Sequence, residues 1–141
     1  MSRILSLARY LAVHWCSGDE AAVLAIRDYF VNGDRPSDIA SRYGLTKNQV
    51  RGYVQRVLEK CGSFYVARAL IRALIPVVTA VDKPFEKING GKMARCRLCG
   101  AEVLLNHFKL HLLRAHSKYL NMVAHRIVQS LLEEVGSRGR A

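Results

Sequence analysis

Near its C-terminal end the chain reads Cys96-x2-Cys99, then eleven residues, then His111-x4-His116. No other feature restricts the fold as much. Two thiolates in a Cys-x2-Cys knuckle can converge on one metal ion, and a helix can deliver two imidazoles to its opposite side. An ordinary apolar core requires none of these residues at these separations. The spacing predicts one structural, tetrahedral Zn2+ per chain, held by Cys96, Cys99, His111 and His116. Four protein ligands leave no open position for water or substrate, so the site is not expected to be catalytic. His107 offers a rival set, because His107 and His111 lie four apart on one face of a helix. That choice would leave only seven residues after Cys99 in which to turn and start the helix.

A metal matters to a chain of this size. With 141 residues it could form one domain or two small ones, and two small cores would each be marginal. Metal binding then supplies folding free energy. The formal net charge of +11 and pI near 10.0 point to a polyanionic partner, nucleic acid first. The most apolar segment, residues 64–81, is interrupted by Arg68, Arg72 and Pro76, and no secretory leader opens the chain. The expectation is a cytoplasmic protein without membrane contact, in which Cys16 and Cys61 remain buried, reduced thiols. No Ser-His-Asp set, phosphate-cradling glycine loop or paired carboxylates stand out, so an enzyme is not expected.

To about Val81 the periodicity is helical. Ile4, Leu7, Ala8, Leu11 and Trp15 recur at helical spacing behind a Ser2 cap. Asp19 and Glu20 open a second helix that closes at Asn32-Gly33, and Pro36 starts a short third that stops at Gly44. Thr46 and Gln49 form a capping box for a fourth, running to Cys61 and Gly62. A fifth extends from Ser63 to near Ile75, where Pro76 is expected to end or kink it. Beyond Asp82-Lys83-Pro84 the period changes. Residues 85–88, Asn89-Gly90 and residues 92–95 read as a hairpin, followed after the knuckle by a helix over 105–116. A last amphipathic helix over 120–135 aligns Leu120, Val123, Ala124, Ile127, Leu131 and Val135, and Gly136 onward reads as a disordered basic tail. The segments are therefore 1–81, 82–120 and 121–141, in a mainly α protein.

Within the first segment, residues 36–56 form two short helices joined at Gly44, which accepts a left-handed backbone without a clash. Small Ala40 permits a close crossing, with Ile39, Leu45, Val50 and Val54 as the seam. This unit resembles the DNA-binding helix-turn-helix, in particular the four-helix variety of sigma-factor region four and response-regulator output domains, over roughly residues 19–61. The resemblance implies a recognition helix whose Thr46, Lys47, Asn48 and Arg51 meet base edges. Asn can pair bidentately with adenine and Arg with guanine. Gly52 leaves a gap for a phosphate backbone, and Arg42, Arg56 and Lys60 are expected on phosphates, which fix register without reading sequence. Tyr53 is bulkier than the aliphatic residue usual at its seam position.

Residues 85–116 resemble a single Cys2His2 zinc finger, a ββα unit of hairpin plus helix, with Val103 and Phe108 at the family's small-core positions. The stretch from Cys99 to His111 is one residue shorter than the commonest family spacing. A five-residue step puts His111 and His116 about 140° apart on a regular helix, so the helix must loosen before His116. Where the family reads bases, this chain carries Leu104, Asn106, His107 and Leu110, and leucines cannot exchange hydrogen bonds with base edges. The rim of Lys92, Arg95, Arg97, Lys109, Arg114 and Lys118, with Asn106 and His107, suits phosphate or partner contacts instead.

These readings describe a sequence-specific double-stranded DNA-binding protein, a transcriptional regulator with a structural zinc finger. The pairing of a helix-turn-helix with one finger is similar to small regulators of archaea and their viruses. The alternative is a zinc-containing adaptor or inhibitor docking on RNA polymerase or on the RNA of a ribosome. Leu120, Ala124, Ile127 and Leu131 follow a four-three-four spacing that suits a partner helix and hence a homodimer. The competing use of that face is against Leu11 and Trp15 of the chain's own first helix.

Overall fold

Local punctuation sets the N-terminal helices. The computed structural model describes residues 2–139, and its first five helices are α1 (Arg3–Cys16), α2 (Glu20–Phe30), α3 (Pro36–Tyr43), α4 (Lys47–Cys61) and α5 (Phe64–Thr79). Ser2, Thr46 and Ser63 each accept a hydrogen bond from a backbone N–H in the first turn of the helix that follows, satisfying a donor the helix cannot. Thr46 and Gln49 complete the capping box in both directions. Gly44 ends α3 in the left-handed region, with φ 66° and ψ 30°, and its N–H returns to Ala40 O. A Cβ there would touch nothing within 4 Å, so the backbone angle, not space, requires glycine.

Pro76 does not end α5, which runs on to Thr79. Proline removes one N–H from the ladder, yet Ile75 and Val78 are buried on either side, and Thr79 Oγ1 adds a bond to Ile75 O at 2.9 Å in the last turn. Core packing outweighs the local break. Leu7 and Leu11 of α1, Ile26 of α2, Ile39 of α3, Val50 and Val57 of α4, and Ile71 and Leu74 of α5 are all fully buried in one cluster.

The C-terminal part carries a three-stranded antiparallel sheet in the order β1-β2-β3: β1 (Phe85–Ile88), β2 (Met93–Cys96) and β3 (Glu102–Leu104). Phe85 pairs with Cys96 and Arg95 with Glu102. The expected hairpin is present, and β3 is an addition to it. Its turn, a 3-10 segment over Asn89–Gly91, uses left-handed backbone at Asn89 (φ 52°) and Gly90 (φ 69°). The expected helix over 105–116 begins as a 3-10 turn, Leu105–His107, before α6 (Phe108–Ala115).

The last helix, α7 (Ser117–Gly139), is longer than its apolar pattern. The tail expected to be disordered from Gly136 is helical as far as Gly139, since one glycine weakens a helix by about 1 kcal/mol without ending it. Residues 140–141 and the side chain of Val135 lie outside the described residues. Leu120, Val123, Ala124, Ile127 and Leu131 are buried, because α7 lies along α1 and also touches α5. The face read as a dimer seam is therefore covered within the chain.

The two parts share a core. Phe85 reaches Gly18, where a Cβ would come within 2.9 Å of its ring, and stands 5.0 Å from Phe108 centroid to centroid. Trp15 Nε1 donates to Val81 O at 2.8 Å, and Lys83 sits 4.5 Å over the indole while pairing with Glu20. Among the described residues no single helix is long and apolar enough to cross a membrane.

Candidate metal centre and basic helix

The four expected ligands converge. The ligand atoms of Cys96, Cys99, His111 and His116 all lie within 4.8 Å of one another. Cys99 Sγ is 3.4 Å from His111 Nε2, and Cys96 Sγ is 3.6 Å from His116 Nε2. A tetrahedral ion with roughly 2.3 Å bonds to sulfur and 2.0–2.1 Å bonds to nitrogen needs a sulfur–nitrogen edge of about 3.6 Å. The residues fit such an ion.

Each ligand is placed by a local device. Cys96 ends β2 and is buried, while Gly100 closes the knuckle with φ 79° and donates its N–H to Cys96 O at 2.8 Å. This holds Cys99 at the exposed tip. His111 sits one turn into α6, its ring stacked at 5.7 Å on the buried Phe108. His116 is the single residue between α6 and α7, with φ −132° and ψ 36°. The loosening anticipated before it is thus a complete break, and its carbonyl then accepts Leu120 N–H at 3.1 Å, within the first turn of α7. The two imidazoles meet edge to face, 5.1 Å apart. His107 is exposed in the 3-10 turn and outside the ligand group, so the rival set does not form. Cys16 and Cys61 are buried and unpaired, and burial pushes the Cys16 thiol up to about 11, keeping it protonated.

At the start of α4, Thr46, Lys47, Asn48, Gln49 and Arg51 are all exposed, over a seam of buried Val50 and Val54. Lys47, Asn48 and Arg51 have no side-chain partner among the described residues. Gly52 is half-buried with open space where a Cβ would stand, and with Thr46, Asn48, Gln49, Tyr53 and Arg56 it lines a shallow cleft of about 340 Å3. Tyr53 turns its bulk toward α1, its ring edge to face with His14 at 5.6 Å between centroids.

The expected phosphate contacts divide. Arg56 is exposed beside this cleft. Lys60 faces α1, donating to Ser6 Oγ at 3.2 Å and lying 5.5 Å over the Tyr10 ring. Arg42 does not stand free: it donates to Asp28 at 2.6 Å and to Asp34 at 3.0 Å. The buried Asp28 also receives Arg27, Asn32 and Tyr43, a cluster whose only sequence trace is one acid on an apolar helix. Arg95 is likewise held between Glu86 at 2.8 Å and Glu102 at 2.9 Å, across the sheet. Lys92, Arg97, Asn106, His107, Lys109, Arg114 and Lys118 are exposed, as are Leu98, Leu104, Leu110 and Leu113. Comparison with known proteins returns no match, whether to a family model, a curated protein or a solved structure.

Proposed function

We propose that the chain is a sequence-specific double-stranded DNA-binding protein, a transcriptional regulator in which α4 enters the major groove. The observation that carries this reading is the start of α4. Lys47, Asn48 and Arg51 project, without partners among the described residues, from a helix fixed at its origin by a two-way cap and behind by a buried seam. Polar side chains with unspent donors on a rigid helix end are what base-edge recognition needs. The net charge of +11 favours the phosphate backbone of any duplex. The Cys2His2 donor set favours Zn2+, because two thiolates and two imidazoles suit its tetrahedral preference. Zinc would close the C-terminal module as a structural finger, with no role in base reading. A homodimer on a two-fold operator remains part of the proposal, formed through a surface other than the covered side of α7.

Selection from a random duplex pool tests the reading. Asn48→Ala and Arg51→Ala are each expected to relax preference at particular base pairs, at a cost of roughly 1–3 kcal/mol. Lys47→Ala should lower affinity for all sequences alike. Unchanged selection profiles for both Asn48→Ala and Arg51→Ala would overturn it. The second reading, an adaptor on RNA polymerase or on ribosomal RNA, draws on the exposed Leu98, Leu104, Leu110 and Leu113. Competition between duplex DNA and structured RNA separates the two.

A further inference from the structure

Where α1, α4 and α6 meet, a cleft of about 340 Å3 opens beside the one at the start of α4, and Arg56 lines both. Four cations converge on it from three helices: Arg9 of α1, Arg56 and Lys60 of α4, and Lys109 of α6. None has a carboxylate partner among the described residues. Arg9 donates to Asn121 Oδ1 at 2.7 Å and Lys60 to Ser6 Oγ at 3.2 Å, both neutral groups. Asp19, whose charge Lys109 feels through space, is bonded to His14 Nδ1 at 2.9 Å and does not line the cleft. Like charges gathered in a concave setting repel one another and concentrate anions from solution.

Tyr10 forms part of the wall, and its hydroxyl is the buried side-chain polar atom among the described residues that no hydrogen bond satisfies. Burial raises its pKa above the ordinary tyrosine value, so it stays protonated; the nearby Arg56 guanidinium opposes that shift, although no hydrogen bond of full geometry joins the two. A buried donor without a hydrogen bond, beside cations that have no carboxylate partner among the described residues, calls for an anionic acceptor. Donors arriving from three helices suit a tetrahedral oxyanion better than a planar carboxylate, which offers two oxygens in one plane. We propose that this cleft is a phosphate site, built for the oxyanion of a phosphomonoester or of a phosphodiester backbone. It stands whether or not α4 reads base edges.

Amide NMR on the full, metal-loaded chain tests it, with inorganic phosphate titrated against chloride at matched ionic strength. Saturable shifts are expected at Ser6, Tyr10, Arg56 and Lys109. Arg56→Gln and Lys109→Gln should each weaken the response about tenfold or more, the worth of one hydrogen bond to a charged group. Arg72→Gln, which removes the same charge from α5, should leave it unchanged. A second arm with a fixed duplex identifies the source. If the free ion does not saturate, yet Lys109→Gln costs about tenfold in duplex affinity and Arg72→Gln does not, the bound group is a backbone phosphate. No saturation by phosphate, with Lys109→Gln and Arg72→Gln having equal or no effect on duplex binding, overturns the proposal. The cations would then act only as diffuse charge. Failure of base reading registers separately, in the selection profiles of the Asn48 and Arg51 variants.

Discussion

Asp28 is 1% exposed and still carries its charge. Burial alone would raise its pKa, but hydrogen bonds from Tyr43, Arg27 and Arg42 outweigh it and hold the carboxyl below the usual aspartate range. Because the folded value lies under the unfolded one, the stabilisation is complete above the ordinary range, near pH 4, and drains away as pH falls through the folded value. Asp28→Asn should therefore cost about 1–3 kcal/mol at neutral pH, by weakening the hydrogen bonds from Arg27, Arg42, Tyr43 and Asn32 at once. Urea unfolding at pH 7 and at about pH 3 checks this: the gap between variant and parent should narrow in acid, and a constant gap would contradict the linkage. The same residue explains where reading the sequence failed. Arg42 looked like a free cation because its partner stands 14 residues away on another helix, beyond any local pattern. The candidate metal group was legible because such chemistry tolerates few spacings, and Gly100 and His116 could bend the chain to suit.

Helix boundaries in α1 to α5 were legible wherever a cap fixes them. Ser2, Gly44, Thr46, Gly62 and Ser63 act over one turn, so the residues that cause the boundary sit beside it. What escaped depends on neighbours distant in sequence. Helix α5 crosses Pro76 because Ile75 and Val78 are held by the core, and β3 exists because β2 offers it a free edge. Gly52 in α4 permits a test of the element's purpose. A Cβ there meets nothing within 4 Å, so Gly52→Ala should stabilise the free protein by roughly 0.5–1 kcal/mol through backbone entropy. The same methyl would stand in the gap offered to a duplex backbone, and affinity for DNA should fall. Thermal melts and binding titrations on this one variant measure both; a more stable protein with undiminished affinity would mean that no backbone approaches there.

Across the whole molecule, the metal centre and the helical core are coupled. Phe85, Phe108 and Leu112 belong to the same buried cluster as Leu7 and Leu11, and His116 both belongs to the candidate ligand group and separates α6 from α7. Chelation, or Cys99→Ser, is therefore expected to lower the thermal midpoint of the entire chain in one transition. Trp15, the sole tryptophan, reports from the junction through its bond to Val81 and its contact with Lys83, so its emission should change together with the helical circular dichroism. Emission that ignores metal removal while helix is lost would show two independent units. The packing of α7 on α1 also bears on how the chain assembles. Arg9 and Asn121, joined at 2.7 Å, are 112 residues apart. During synthesis the apolar side of α1 emerges long before its cover does. The N-terminal helices must then wait, partly uncovered, until more than a hundred further residues have followed. The seam between the earliest and latest helices of this chain can therefore close only at the end of synthesis, and a nascent segment ending near Val81 leaves the side of α1 that packs on α7 without its cover.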